Sequence, residues 1–197
     1  MWVKVCGLRT AEDVDAALMA GVDAIGFVLV PSVRQVDLAT ARALSARVAG
    51  RAQTVGVFRT LDPGALALAA SAGMDRAQGV LDGVVAGPGV LPVLPDGPDL
   101  VAAAAALPAP QLLVDGPDPG AGEIVDWGRI SALAQARSVV LAGGLTPQNL
   151  ARAIETVRPA GVDVSSGIER TRGVKDADLI LAFTLAARAA SAPLERT

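Results

Sequence analysis

The chain contains one cysteine, Cys6, and no histidine, so any acid–base chemistry must come from Cys, Asp, Glu or Lys. Imidazole bases, Ser-His-Asp triads and imidazole metal ligands are therefore unavailable. One thiol cannot form an intrachain disulfide or a thiolate zinc cage, and a bound metal would need oxygen ligands. Two candidate reacting groups end apolar runs: Cys6 after "WVKV" and Asp115 after "LLV". Arg34 in "PSVRQVD" and Gln78 in "RAQGV" are polar groups in comparable places. Two small-residue turns complete the set, Gly143-Gly144 in "LAGGLTPQNL" and Ser165-Ser166-Gly167 in "DVSSGIE". Each has a plainer reading. A lone Cys is commonly a small buried hydrophobe, Asp115 opens the turn-rich "DGPDPG", and an Arg is usually solvated.

The composition narrows the function classes. A net charge of −3, no basic run and only 3% aromatic residues argue against a nucleic-acid surface. Apolar runs are interrupted well before the ~18 residues a bilayer span needs. The start "MWVKVCGLRT" lacks the apolar stretch of a signal peptide and reads directly as a buried strand. These features lead us to expect a soluble cytoplasmic protein with no membrane or nucleic-acid partner.

The elements that must position the candidates alternate. Strand-like runs cover 2–6, 23–30, 52–58, 74–80, 89–95, 109–115, 136–143 and 160–166, with alanine- and leucine-rich helical runs between them. Thr10, Asp37 and Thr146 stand where N-caps are expected, and Pro63 where a first-turn proline is tolerated. The strands are continuously apolar, as in a parallel sheet covered on both faces. Eight β-then-α units favour a (β/α)8 TIM barrel over an open doubly wound sheet, and no glycine-rich dinucleotide fingerprint follows the first strand. A single domain over 1–197 is expected, its last few residues disordered. At 197 residues the loops must be tight for a barrel.

In such a barrel the chemistry sits where the strands end, which gathers Cys6, Arg34, Gln78 and Asp115. The turns after the seventh and eighth strands form the usual phosphate site, using backbone N–H groups and a helix N-terminus. This accounts for the long passage "DVSSGIERTRGVKDADLI": its "SSGIE" is expected to start a short extra helix before the final one.

The segments "VKVCGLRTAEDVDAALMAGVDAIGFV", "PSVRQVD", "TVGVF", "LLVDGPDPGAGEIVDW", "VVLAGGLTPQNLARAI" and "GVDVSSGIERTRGVKDADLILAF" follow one another from residue 3 to 183. Together they resemble the phosphoribosylanthranilate isomerases of tryptophan biosynthesis. The resemblance implies a (β/α)8 barrel and an Amadori rearrangement of N-(5′-phosphoribosyl)anthranilate to the 1-amino-1-deoxyketose, without a cofactor or metal. It implies Cys6 as general base at the sugar C2, Asp115 as general acid at the ring oxygen and Arg34 as holder of the anthranilate part. It puts Gly143, Gly144, Ser165, Ser166 and Gly167 on the phosphate loops and Gln78 on the substrate-binding wall. The partner is then a phosphorylated sugar–anthranilate, and the protein a monomer or homodimer. A thiolate base needs a lowered pKa, which nearby cations would supply. Two positions depart from the family pattern: Val33 stands for a proline before Arg34, and Val80 for a histidine after the fourth strand. Competing readings are another phosphosugar isomerase or epimerase barrel, which generally uses histidine-held metal, and a non-catalytic phosphate-binding barrel.

Overall fold

Continuously apolar strands must be buried on both faces, and here the sheet closes on itself while helices cover its outside. The computed structural model describes residues 1–116 and 125–191. Its strands are β1 (Trp2–Cys6), β2 (Ala24–Val28), β3 (Gln53–Leu61), β4 (Arg76–Leu81), β5 (Val90–Pro95), β6 (Leu112–Asp115), β7 (Val139–Leu141) and β8 (Gly161–Val164), in one closed barrel. Every neighbouring pair is parallel, and β8 closes on β1 with Lys4 opposite Asp163. The expected barrel is the observed one.

The described helices are α1 (Ala11–Ala20), α2 (Leu38–Val48), α3 (Pro63–Ser71), α4 (Leu100–Ala106), α5 (Trp127–Ala134), α6 (Leu150–Val157) and α7 (Ala177–Ser191). This corrects the count of eight β-then-α units, because β4 passes to β5 through residues 82–89 without a helix. That connection holds three glycines and a proline, too many breakers in eight residues for a helical turn to persist. Elsewhere local chemistry sets the helix starts. The Thr10, Asp37 and Asp62 side chains accept the orphan N–H groups of Asp13, Thr40 and Ala65. Thr146, expected to cap α6 directly, instead bonds reciprocally with Asn149 one turn earlier, and α6 begins at Leu150.

The main core lies between sheet and helices, where Val3, Val5, Ile25, Phe27, Leu112 and Val114 meet Leu44, Ile154, Ile180 and Phe183. Period-2 alternation turns the other strand residues into the barrel. There Leu91, Val93, Leu113, Val140 and Ala142 form a separate cluster with Trp2 packed on it. Lys4 and Cys6 share the inward face of β1 with Trp2.

The passage after β8 folds as a short 3-10 helix (Ser166–Ile168), so the expected extra helix is present. It leads into an antiparallel hairpin of β9 (Glu169–Thr171) and β10 (Val174–Lys175), which no sequence pattern announced. The "PDPG" turn beyond Gly116 and the last residues after Ser191 lie outside the described residues. No described helix is long and apolar enough to cross a membrane.

Candidate active site

The strand ends open into one cleft of about 1010 Å³, lined by Cys6, Arg34, Gln78, Asp115, Ser165 and Ser166 among others. Six of the nine sequence-predicted residues thus meet there. Gly143 and Gly144 line an adjoining hollow of about 30 Å³ between the turns after β7 and β8, shared with Asp115, Ser165 and Ser166. Both glycines have positive φ, +81° and +60°, which an L side chain adopts only under strain. Asn149 pins this turn, its Nδ2 donating to the Gly144 carbonyl at 2.8 Å.

Gly167 lines neither space. A Cβ there would lie 1.9 Å from the Leu145 carbonyl oxygen and 2.9 Å from its carbon. Glycine at 167 lets the two small-residue turns pack backbone to backbone. This differs from keeping the helix N-terminus open to a ligand, and it is what the coordinates require.

Asp115 ends β6 half-buried at the cleft, and its Oδ1 accepts the Gly116 N–H at 2.8 Å. Cys6 ends β1, buried, with its carbonyl accepting from Ser165 Oγ at 3.1 Å. Beneath it Lys4, wholly buried, bonds both carboxylate oxygens of Asp163 at 3.0 and 2.9 Å. Burial pulls the Lys4 ammonium down, but Asp163 and then Cys6 outweigh it and hold its pKa above the ordinary lysine value. Burial lifts the Asp163 carboxyl, with Lys4 and Lys175 opposing. For Cys6, burial is again the largest effect and raises the thiol above its ordinary value, although Lys4 and Lys175 both pull it down. The thiol is therefore not lowered by the nearby cations as expected. The cations are present, but desolvation exceeds them.

Arg34 is buried rather than solvated. Its Nε and Nη2 donate to Glu169 Oε1 and Oε2 at 2.6 and 3.0 Å. Lys175 Nζ reaches the same Oε1 at 2.8 Å and the Ser165 carbonyl at 2.8 Å, while the Gly173 N–H donates to Oε2 at 3.0 Å. Burial pushes the Glu169 carboxyl up, but Arg34, Lys175 and Gly173 outweigh it and bring it down to about 2. Arg34 is held above its ordinary value chiefly by its bond to Glu169. The β9–β10 hairpin is thereby tied both to the turn after β8 and to the loop before α2. Arg9 strengthens the second tie, its Nη1 donating to the Val33 carbonyl at 2.9 Å.

On the other side Gln78 sits within β4, buried, and its Oε1 has no hydrogen-bond partner. An acceptor so placed in a cleft wall is costly unless a ligand supplies a donor. Val80, two residues on, also faces the cleft and is 40% exposed. Val33 is 47% exposed at the same mouth.

Four residues of this constellation, Lys4, Asp163, Glu169 and Lys175, escaped the sequence reading. The signal for the first two was present: a charge in the middle of "WVKVC" and another in "GVDV", both inside apolar strands. Such charges are rarely buried unpaired. Nothing comparable marked Glu169 and Lys175, because their partnership depends on a hairpin without a period of its own.

The family model for N-(5′-phosphoribosyl)anthranilate (PRA) isomerase matches residues 95–186. A curated N-(5′-phosphoribosyl)anthranilate isomerase from Roseiflexus castenholzii is 41% identical, over 97% of this chain and all of its own length. The crystal structure of phosphoribosyl anthranilate isomerase from Thermus thermophilus superposes with a TM-score of 0.84 at 32% identity, covering 96% of this chain and 99% of that one. Another isomerase, in complex with reduced 1-(o-carboxyphenylamino)-1-deoxyribulose 5-phosphate, gives 0.81 at 29% identity, with 96% and 99% covered. With identity at this level along nearly its whole length, on the same closed barrel, the chain belongs to the N-(5′-phosphoribosyl)anthranilate isomerase family.

Proposed function

We propose that this chain catalyses the Amadori rearrangement of N-(5′-phosphoribosyl)anthranilate to 1-(2-carboxyphenylamino)-1-deoxyribulose 5-phosphate in tryptophan biosynthesis, with residues 1–197 acting as one barrel domain. The observation that carries the residue assignment is that Cys6 and Asp115, at the ends of β1 and β6 three strands apart in the closed barrel, line one cleft beside a hollow built from small residues. The phosphate takes that hollow, where Gly143, Gly144, Ser165 and Ser166 offer backbone N–H groups and hydroxyls. Gly167 serves by letting the two turns approach. The sugar then spans the cleft, and the anthranilate reaches toward Arg34 and the wall of Gln78 and Val80.

Asp115 acts as general acid. Its proton goes to the furanose ring oxygen as the bond from C1 to that oxygen breaks, leaving an iminium at C1. Cys6 as thiolate removes the C2 proton, and the C2–H electron pair forms the C1=C2 bond of an enol-amine as the C=N π pair returns to nitrogen. A proton added at C1 while the C2 hydroxyl loses its own gives the aminoketose, so the net change is isomerisation. The acid–base work needs one donor and one acceptor across the sugar, which the two residues supply without imidazole. Because burial raises the thiol, forming the thiolate is a step that the surrounding charges must assist.

The test is loss of anthranilate-type fluorescence on adding purified protein to freshly formed substrate. Turnover that disappears in both Cys6→Ala and Asp115→Ala supports the assignment. Absence of turnover in the folded, unmodified chain would overturn the function itself.

A further inference from the structure

We infer that Lys4 is a positioning residue for Cys6: held on Asp163 at the floor of the cleft, its ammonium is the fixed positive charge against which the Cys6 thiolate forms. The inference rests on Cys6 being the base and adds a residue to that assignment.

The geometry begins with register. Lys4 and Cys6 are two apart on β1, so both point into the barrel, and Asp163 is the cross-strand partner of Lys4 on β8. Nothing in the fold obliges a lysine to be there, since the inward cluster from β5, β6 and β7 is aliphatic. A wholly buried ammonium is costly, and a structural need for volume would be met more cheaply by methionine or leucine.

The ammonium also lies close to the thiol. A Cβ built on Gly26 of β2 would lie 3.0 Å from Cys6 Sγ and 3.1 Å from both Cε and Nζ of Lys4. Sulfur and ammonium thus converge on one point of the neighbouring strand, which is glycine and leaves room for both. Lys4 and Cys6 are near enough for the ammonium to favour the thiolate electrostatically.

The charged groups facing the thiol are Lys4 on its own strand, Asp163 on β8, Lys175 on β10 and Arg34 from the loop before α2. Lys175 and Arg34 are both engaged by Glu169. Lys4 is the one bonded to Asp163 while its ammonium converges with the sulfur on Gly26. Lys4 and Asp163 must then act on the thiol with opposite signs: the ammonium favours the thiolate and the carboxylate opposes it. An ion pair kept only for stability has no such signature, because removing either partner would simply loosen the barrel.

Because Cys6 is the sole cysteine, ¹³Cβ-cysteine labelling gives a single NMR resonance whose pH titration reads this thiol directly. The inference predicts that Lys4→Met raises the thiol pKa by about one unit or more, while Asp163→Asn lowers it. The acid limb of the kcat/KM profile should move the same way in each variant. If Lys4→Met does not fold, the neutral hydrogen-bonding pair Lys4→Gln with Asp163→Asn replaces it, and its thiol should titrate above that of Asp163→Asn alone. Shifts of the same sign in the two single variants, or a thiol unmoved by removal of the ammonium, would overturn the inference. Failure of the base assignment would show separately, as undiminished turnover in Cys6→Ala.

Discussion

The two walls of the cleft are built on different principles. The wall formed by β8, β1 and β2 is cross-linked: Lys4 to Asp163, Arg34 and Lys175 to Glu169, and Ser165 to the Cys6 backbone. Among the described residues, the ion pairs that reach the cleft lie on this wall. The wall of β3, β4 and β5 presents Phe58, Arg59, Gln78, Val80, Val93 and Pro95, with an unsatisfied amide oxygen and no helix behind the β4–β5 connection. The first wall fixes charges before substrate arrives, as preorganised electrostatic catalysis requires. The second is a contact surface whose members change affinity and fit. The difference implies that substitutions on the first wall are severe and coupled, while those on the second are mild and additive.

The sharpest break in that contrast lies with the two residues proposed as acid and base. Cys6→Ala and Asp115→Ala should each cut kcat by ~10²–10⁴-fold with the fold retained, since each removes one proton-transfer group. Circular dichroism alongside the fluorescence assay checks both halves. Retained turnover in either variant would return that residue to an ordinary role, as a small core side chain or a turn former.

Next in size is Gly167→Val. Its Cβ would fall 1.9 Å from the Leu145 carbonyl oxygen, so the turns after β7 and β8 must separate. We expect a rise in KM of roughly a hundredfold together with a lower melting temperature, equivalent to a few kcal/mol of lost backbone packing. Ser166→Ala should cost far less, about tenfold or under, because one donor is lost and no backbone moves. Equal effects from the two would place the phosphate on side chains and not on the paired turns.

Glu169→Gln probes the cross-links. It leaves a hydrogen-bonding group of the same shape but removes the charge that holds Arg34 and Lys175 together. We expect KM to rise roughly tenfold with kcat nearly unchanged, because the role proposed for Arg34 is to hold the non-reacting end of the substrate. The same pair sets an acid limit. The Glu169 carboxyl falls from its ordinary 4.5 to about 2 on folding, so it stabilises the native state fully above about pH 4.5. That contribution is lost as pH falls from there through about 2. Denaturant midpoints measured from pH 6 to pH 2 should therefore fall less steeply in Glu169→Gln than in the parent.

How far the sequence carried these conclusions differs between the walls as well. The barrel was legible because apolar strands and capped helices are local signals: Thr10, Asp37 and Pro63 act where their positions suggest. The placement of Cys6, Asp115 and the glycine turns around the cleft was legible because they end strands of the barrel. The cross-links were not, since Arg34 and Glu169 are 135 residues apart and Lys4 and Asp163 are 159 apart. A charge inside an apolar strand, as at Lys4 and Asp163, signals that a partner is needed but does not say which residue it is. The raised Cys6 thiol was hidden for a related reason, because nearby cations can be guessed from composition but the depth of burial that outweighs them cannot.

The smallest effect belongs to the second wall, at Val80. The family pattern has a histidine here, and the valine faces the cleft, 40% exposed, opposite Thr60 in the β3–β4 ladder. An exposed position at a strand end has room for a larger ring, so Val80→His need not overpack the barrel. An imidazole there would bring a donor into the same wall as Gln78 Oε1, the buried acceptor without a partner. One added hydrogen bond is typically worth ~0.5–1.5 kcal/mol, or at most about tenfold. Because Val80 is far from the charges that support Cys6, the gain should appear in KM while kcat and its pH profile stay put. Steady-state kinetics from pH 6 to 9 on the single variant, and on Val80→His combined with Glu169→Gln, test this directly. The two changes should combine additively if the walls are independent. A departure from additivity larger than about 0.5 kcal/mol would mean that the apolar wall and the cross-linked wall hold the substrate as one unit.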